Sequence, residues 1–291
     1  MKAIETHGLT KFYGNVRGIE DVSLSVDEGA FFGFIGPNGA GKSTLIRTLL
    51  GLISATGGKA EIFGRDIVTS RIENLKEIGY LPAEAEFYNG MKVGDVLRFT
   101  ANMRGLNCDE EAKELCRRLD LDVTRKIDEL SLGNKKKVGI VCALQHKPKL
   151  YLLDEPTSGL DPLMQQEFFK ILKERNDEGA TIFLSSHVLS EIKKYCKSAG
   201  LIREGKLILS DTVESLGHTG VKKVSVKGIT DIPEISGIGD LVRDDDQISF
   251  LYRGEISELL GSLADLAITD INISDPELDE IFMNYYVKEE A

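Results

Sequence analysis

This chain of 291 residues lacks four things, and each absence narrows what it can do. No stretch approaches the roughly 18 consecutive apolar residues of a membrane-spanning helix, so no span is expected within it. The segment Met1-Lys2-Ala3-Ile4-Glu5 has no apolar signal-peptide core, and a cytoplasmic location is expected. Cysteine is sparse. Cys108, Cys116, Cys142 and Cys196 form no C-x-x-C pair, and only Cys142 has a histidine near it, His146, so reduced thiols are expected rather than a zinc site or a disulfide framework. A basic excess is also missing: 36 Lys and Arg against 47 Asp and Glu give a net charge of −11, which repels a nucleic-acid backbone. The densest basic run, Lys135-Lys136-Lys137, reads as a solvated helix face, and no nucleic-acid partner is expected.

What the chain does have is Gly36-Pro37-Asn38-Gly39-Ala40-Gly41-Lys42-Ser43-Thr44, which satisfies G-x-x-x-x-G-K-[ST] at every position. The apolar run 30–35 before it reads as a buried strand. Residues 42–52 after it read as a helix with Leu45, Ile46, Leu49 and Leu50 on its apolar side. Strand, glycine loop and helix thus follow in the order that phosphate binding needs. Glycines let the backbone curl so that its N–H groups and the positive helix end surround the phosphates. Lys42 then reaches the β- and γ-phosphates, and the Ser43 hydroxyl is placed to ligate Mg²⁺.

A second apolar run, Leu150-Tyr151-Leu152-Leu153, ends in Asp154 and Glu155 and reads as a central parallel strand with its acids at the ligand-binding end. Alternation aims the two carboxylates differently, suiting one to Mg²⁺ and the other to the attacking water. A third strand, 181–186, delivers His187 to the same rim, where an imidazole can hydrogen-bond the γ-phosphate or the water. Between them, Asp161-Pro162 opens a helix with a capping acid and a proline in the first turn.

With these motifs in order, the chain resembles the ATP-binding cassette family, the ATPase subunits of membrane transporters. Six motifs within residues 1–212 carry the resemblance. Tyr13 stands where the family stacks an aromatic ring on adenine. The phosphate loop follows, and Leu130-Ser131-Leu132-Gly133-Asn134 is similar to the signature motif, with Ser131 and Gly133 as its phosphate-contacting members. Asp154 matches the Mg²⁺-associated acid, Glu155 the catalytic glutamate, Ser158-Gly159-Leu160-Asp161 the D-loop, and His187 the switch histidine. The resemblance implies a fold of α/β class: a P-loop NTPase core with an antiparallel β subdomain and an inserted helical subdomain at about 90–145, as the strand-like alternation of Val22, Leu24 and Val26 and the helix-rich 90–145 stretch also suggest. It further implies ATP and Mg²⁺ as cofactors, a separate transmembrane permease, and a second cassette, identical or paralogous. ATP is then held between Lys42 of one cassette and Ser131 of the other, where a helix expected at 135–144 points its positive end at the phosphate, and the pair sits on the inner face of the cell membrane.

Two positions depart from the family pattern. Leu132 and Asn134 replace a glycine and a glutamine of the signature, and Ala83 stands where a glutamine commonly links Mg²⁺ and water to the membrane partner. Glu84 or Glu86 is expected to take over part of that role.

Residues 213–291 remain as a small α+β accessory domain after a 1–212 ATP-binding domain. Strands are expected around Val224 and Val226, at 241–243 and 247–252 about an Asp244-Asp245-Asp246 turn, and at 268–273. Helices are expected at 256–266 and 276–286, with Tyr285 and Tyr286 as packing residues. The ending 275–283 resembles cassettes of the branch that exports antibiotics, lipids or small peptides. The sequence reading is therefore the ATP-hydrolysing subunit of an exporter. The alternatives are a soluble cassette ATPase remodelling a protein or ribosomal partner, and an ATP-gated module whose hydrolysis is vestigial.

Overall fold

The computed structural model describes residues 1–217, 221–229, 231–233, 235–244, 247–264 and 266–274. The chain divides into two compact units, Met1–Asp211 and Thr212–Ala291.

Near-continuous apolar strands, the pattern of strands covered on both faces, build the centre of the six-stranded sheet of the first unit. Its order is Lys206–Thr212, Ser198–Arg203, Phe31–Ile35, Thr181–Ser186, Leu150–Asp154, Ile78–Leu81. The four pairings from Ser198–Arg203 across to Ile78–Leu81 are parallel. Ile35 is in register with Ser186, and Ser185 with Asp154, so the segments that follow these strands leave from one edge. In the sheet centre Phe183 stacks on Phe32 at 5.6 Å and tilts against Phe34 at 5.4 Å. Each such pair contributes about 0.5–1.5 kcal/mol beyond its buried area.

The second sheet of this unit is antiparallel, with Lys2–Tyr13 paired to Val16–Val22, Ser25–Asp27 and Gly57–Ile62, and Arg65–Asp66 beyond. Val22, Leu24 and Val26 are buried and Ser23 and Ser25 exposed, as their alternation requires. The helix Lys42–Leu49 joins the two sheets. Leu45, Ile46 and Leu49 share one apolar cluster with Ile4, Leu9 and Ile19 of the antiparallel sheet and Phe34, Leu150 and Phe183 of the parallel one. This helix is shorter than the 42–52 expected, because the chain turns left-handed at Gly51 (φ +63°), whose N–H bonds Thr48 O at 2.9 Å.

Three helices, Val93–Met103, Asp109–Arg118 and Leu132–Leu144, fall within the helix-rich stretch. Charge pins the second of them to the helix Pro162–Asp177: Arg118 pairs with Glu167 at 2.6 Å and Glu174 at 2.5 Å, and Arg175 pairs with Glu111. The α/β phosphate-loop architecture is the one the motifs led us to expect.

The second unit is a four-stranded antiparallel sheet in the order Ile238–Asp244, Gln247–Arg253, Val221–Lys227, Asp270–Ser274. The helix Ile256–Leu263 buries Leu259 and Leu263 against Val224, Val226, Ile248, Phe250 and Tyr252. Asp244 pairs with Gln247, and the residues joining them, Asp245 and Asp246, lie outside the described residues, as does the 276–286 helix expectation with Tyr285 and Tyr286.

The thiols are shielded by this packing. Cys108, Cys116 and Cys196 are buried, and burial raises all four thiols, Cys116 and Cys142 to about 11. The native protein should therefore react slowly with a thiol reagent at pH 7.5, and all four thiols should titrate on denaturation. Rapid stoichiometric labelling of the folded protein would contradict this.

Candidate active site

The ends of three parallel strands converge on Lys42. Its loop begins after Ile35, and Gly41, at φ +108°, opens the helix; a Cβ there would stand 2.5 Å from Gly18 O, so only glycine fits. Lys42 is 6 % exposed and donates to Gly36 O at 2.6 Å and Pro37 O at 3.1 Å. The same ammonium lies 3.1 Å from Glu155 Oε1, as an ion pair without hydrogen-bond alignment.

Glu155 sits at φ +45°, just past the Leu150–Asp154 strand. Its N–H bonds both Ser185 O at 3.2 Å and Ser185 Oγ at 3.1 Å, which holds this unusual backbone in place. His187 Nδ1 meets Glu155 Oε2 at 2.8 Å, so the carboxylate is flanked by imidazole on one oxygen and ammonium on the other. Asp154 is fully buried: Oδ1 accepts from Ser185 Oγ at 2.6 Å, while Oδ2 has no hydrogen-bond partner. An orphaned buried carboxylate oxygen near the phosphate loop suits a hard cation that keeps most of its remaining ligands as water and phosphate oxygen. Among the described residues there is no cluster of three or more His, Cys, Asp or Glu able to hold a metal. A site of one carboxylate and the Ser43 hydroxyl, completed by phosphate, agrees with that. Nearby, burial raises the Tyr80 phenol and Asp154 raises it further, with Arg47 opposing both.

Tyr13 is half-exposed, and Lys11 Nζ lies 5.1 Å from its ring centre. A Cβ at Gly18 would stand 2.9 Å from both the Tyr13 ring and the Thr44 methyl, so Gly18 lets the aromatic ring approach the phosphate-loop helix.

Two other expected site groups make their contacts elsewhere. Ser131 caps the helix Leu132–Leu144 by accepting from Asn134 N at 3.3 Å, and a Cβ at Gly133 would stand 2.6 Å from Gly159 O. The signature helix thus starts at Leu132, three residues before the Lys135 expected, because the Ser131 hydroxyl caps it. Asp161 caps its helix, accepting from Leu163 N at 3.1 Å and Met164 N at 3.0 Å.

The Lys135-Lys136-Lys137 run is not a solvated face. Lys136 is 4 % and Lys137 8 % exposed, because the helix packs on the Ile78–Leu81 strand and buries Val138, Ile140 and Val141 on several sides. Lys136 Nζ donates to Ala83 O at 2.8 Å and Pro82 O at 3.1 Å. Sequence reasoning missed this contact.

Comparisons with known proteins agree with this geometry. Residues 19–158 match the ABC transporter family. The chain is similar to the bacitracin transport ATP-binding protein BcrA of Bacillus licheniformis, 40% identical over 212 residues that cover 70% of this chain and 68% of that protein. It also aligns with the linearmycin resistance ATP-binding protein LnrL of Bacillus subtilis, 27% identical over 302 residues and covering 97% of each. Among solved structures, an ATP-binding subunit of an ABC transporter superposes with a TM-score of 0.69 at 31% identity, covering 74% of this chain and 91% of that one. This chain belongs to the ABC transporter ATP-binding family, and it is an ATPase.

Ser185 supports both acids, so Ser185→Ala should destabilise the fold by about 1–3 kcal/mol in urea unfolding, the cost of leaving buried polar groups unpaired. A loss under about 0.5 kcal/mol would show that the hydroxyl holds neither.

Proposed function

We propose that this chain is the motor subunit of an exporter, hydrolysing Mg²⁺-ATP and transmitting closure of two cassettes to a separate membrane permease. The observation that carries the chemistry is the Lys42–Glu155–His187 chain of contacts, at 3.1 Å and 2.8 Å, beside the buried Asp154. Ser43 and Asp154 are the residues that would hold Mg²⁺, which supplies charge neutralisation on the phosphates. Lys42 binds the β- and γ-phosphates, a role that exchanges its contact with Glu155 for phosphate oxygen. Glu155 then polarises the attacking water while His187 keeps its carboxylate aimed and contacts the γ-phosphate. Gly36, Pro37, Asn38, Gly39, Ala40, Gly41 and Thr44 form the phosphate cradle, and Tyr13 is the adenine platform. Ser131 and Gly133, with Asp161 of the D-loop segment, serve the nucleotide of the facing cassette. Residues 1–212 carry this machinery, and 213–291 are an accessory domain.

Export is supported by the roles of the relatives in bacitracin transport and linearmycin resistance. Among the described residues no helix is long and apolar enough to cross a membrane, which fits a motor docked on the inner membrane face beside a permease on another chain. A surface for that partner is available. Phe99 and Met103, one turn apart on the helix Val93–Met103, are exposed, and Tyr88 meets Phe99 edge-on at 6.5 Å.

Glu155→Gln should lower kcat by about 10²–10⁴-fold while ATP affinity stays within about threefold. Normal phosphate release by that variant would refute the role of Glu155. Affinity capture of the tagged protein from gently solubilised membranes should recover a multi-span protein; recovery only from cytosol, with a soluble partner or ribosomes, would overturn the exporter reading.

A further inference from the structure

Ala83 follows the Ile78–Leu81 strand and has no side-chain group with which to reach the acids. What the structure places there is Lys136. Its ammonium lies on the signature helix, 4 % exposed, and donates to the carbonyls of both Pro82 and Ala83. Gly139, one turn along the same helix, keeps that face close to the loop: a Cβ there would stand 2.9 Å from Leu81 and 3.2 Å from Ala85. The carboxylates whose charge acts on Lys136 are Asp154, then Glu155, then Glu84. Burial pushes Lys136 down to about 8 against the pull of those charges, the two carbonyl oxygens accept from its ammonium, and Leu81, in register with Leu153, sets the loop beside Asp154. Glu84 and Glu86, the acidic neighbours of Ala83, are both exposed.

We propose that Lys136 is the positioning residue that replaces a side-chain amide at Ala83: through the Pro82 and Ala83 carbonyls it holds the loop against the Asp154 and Glu155 acids, so that loop and acids move together. This rests on the hydrolytic role of those acids. Lys136 acts through the loop and the field it places on the carboxylates, not by touching substrate. Its removal leaves the phosphate cradle intact and should therefore fall on kcat rather than on ATP binding.

The test uses the full chain. Steady-state ATPase, ATP affinity, thermal melting and amide hydrogen exchange of residues 82–88 are compared for wild type, Lys136→Met, Lys136→Arg, Lys136→Gln and the double variant Ala83→Gln with Lys136→Met. Lys136→Met should lower kcat by about tenfold or more, leave the KM for ATP within about twofold, and speed exchange at 82–88. Lys136→Arg should keep at least about half of wild-type kcat, and Ala83→Gln should restore most of the loss in the Lys136→Met background. Should Lys136→Met fail to fold, Lys136→Gln, which keeps a donor and removes the charge, carries the kcat comparison. The inference is overturned if a folded Lys136 variant without the charge turns over at the wild-type rate. It is equally overturned if the lost activity only tracks the folded fraction and neither arginine nor Ala83→Gln recovers it. A wild-type chain that hydrolyses no ATP while binding it would instead fail the reading of Asp154 and Glu155, a separable outcome.

Discussion

The site depends on one ion pair, the 3.1 Å contact between Lys42 and Glu155, with side chains 6 % and 15 % exposed. Neither charge is well hydrated, so each needs the other or a substitute of equal charge. That requirement fixes the relation between two segments more than a hundred residues apart in the chain. Lys42 is held from the Phe31–Ile35 strand by its loop, and Glu155 from the Leu150–Asp154 strand by direct succession. The strand Thr181–Ser186 lies between the two in the sheet, parallel to both, and supplies Ser185 and then His187. A slip of one residue in either pairing would turn Ser185 away from Asp154 and part the acids from the lysine. The apolar strands are thus what sets the distance between the charges.

The same pair links binding to chemistry. The phosphate that Lys42 is built to receive competes with Glu155 for the ammonium. In the proposed mechanism, phosphate on the lysine would leave the carboxylate its His187 contact alone and free it for the attacking water. The backbone contributes as well. Glu155 holds φ +45°, a conformation that costs a non-glycine residue on the order of 1–3 kcal/mol. Two hydrogen bonds to Ser185 offset that cost and leave the carboxylate aimed out of the strand direction.

Much of this was legible in the sequence because it depends on local chemistry. The glycine loop, the acids ending an apolar run and the histidine after a third strand each declare themselves within ten residues, and their order supplies the topology. The capping chemistry at Asp161 was legible for the same reason. Helix ends were less so: the stop at Gly51 and the start at Ser131 were both written in residues of known habit but were outweighed by the apolar periodicity around them. The lysine run was misread for a deeper reason. A run of three charges does suggest a solvated face, but lysine's long stem can be buried while its ammonium finds oxygen. Here the oxygens belong to Pro82 and Ala83, more than fifty residues away in sequence, and nothing local to 135–137 announces them.

That contact changes the meaning of the signature helix. At its first turn Gly133 touches Gly159 of the D-loop segment, and one turn further Lys136 holds the loop after Leu81. Both neighbours lead to the acids: Gly159 follows Glu155 by four residues, and the loop at Ala83 leaves the Ile78–Leu81 strand, whose Leu81 is in register with Leu153 beside Asp154. A rigid helix of thirteen residues cannot shift at one of these contacts without moving the other. On the proposed reading, a displacement imposed on the helical region, by a partner on Tyr88, Phe99 and Met103 or by a facing nucleotide at Ser131, would reach the carboxylates along two paths at once. An alanine at position 83 is compatible with such a design because the tie runs through its carbonyl, a group no side-chain substitution removes.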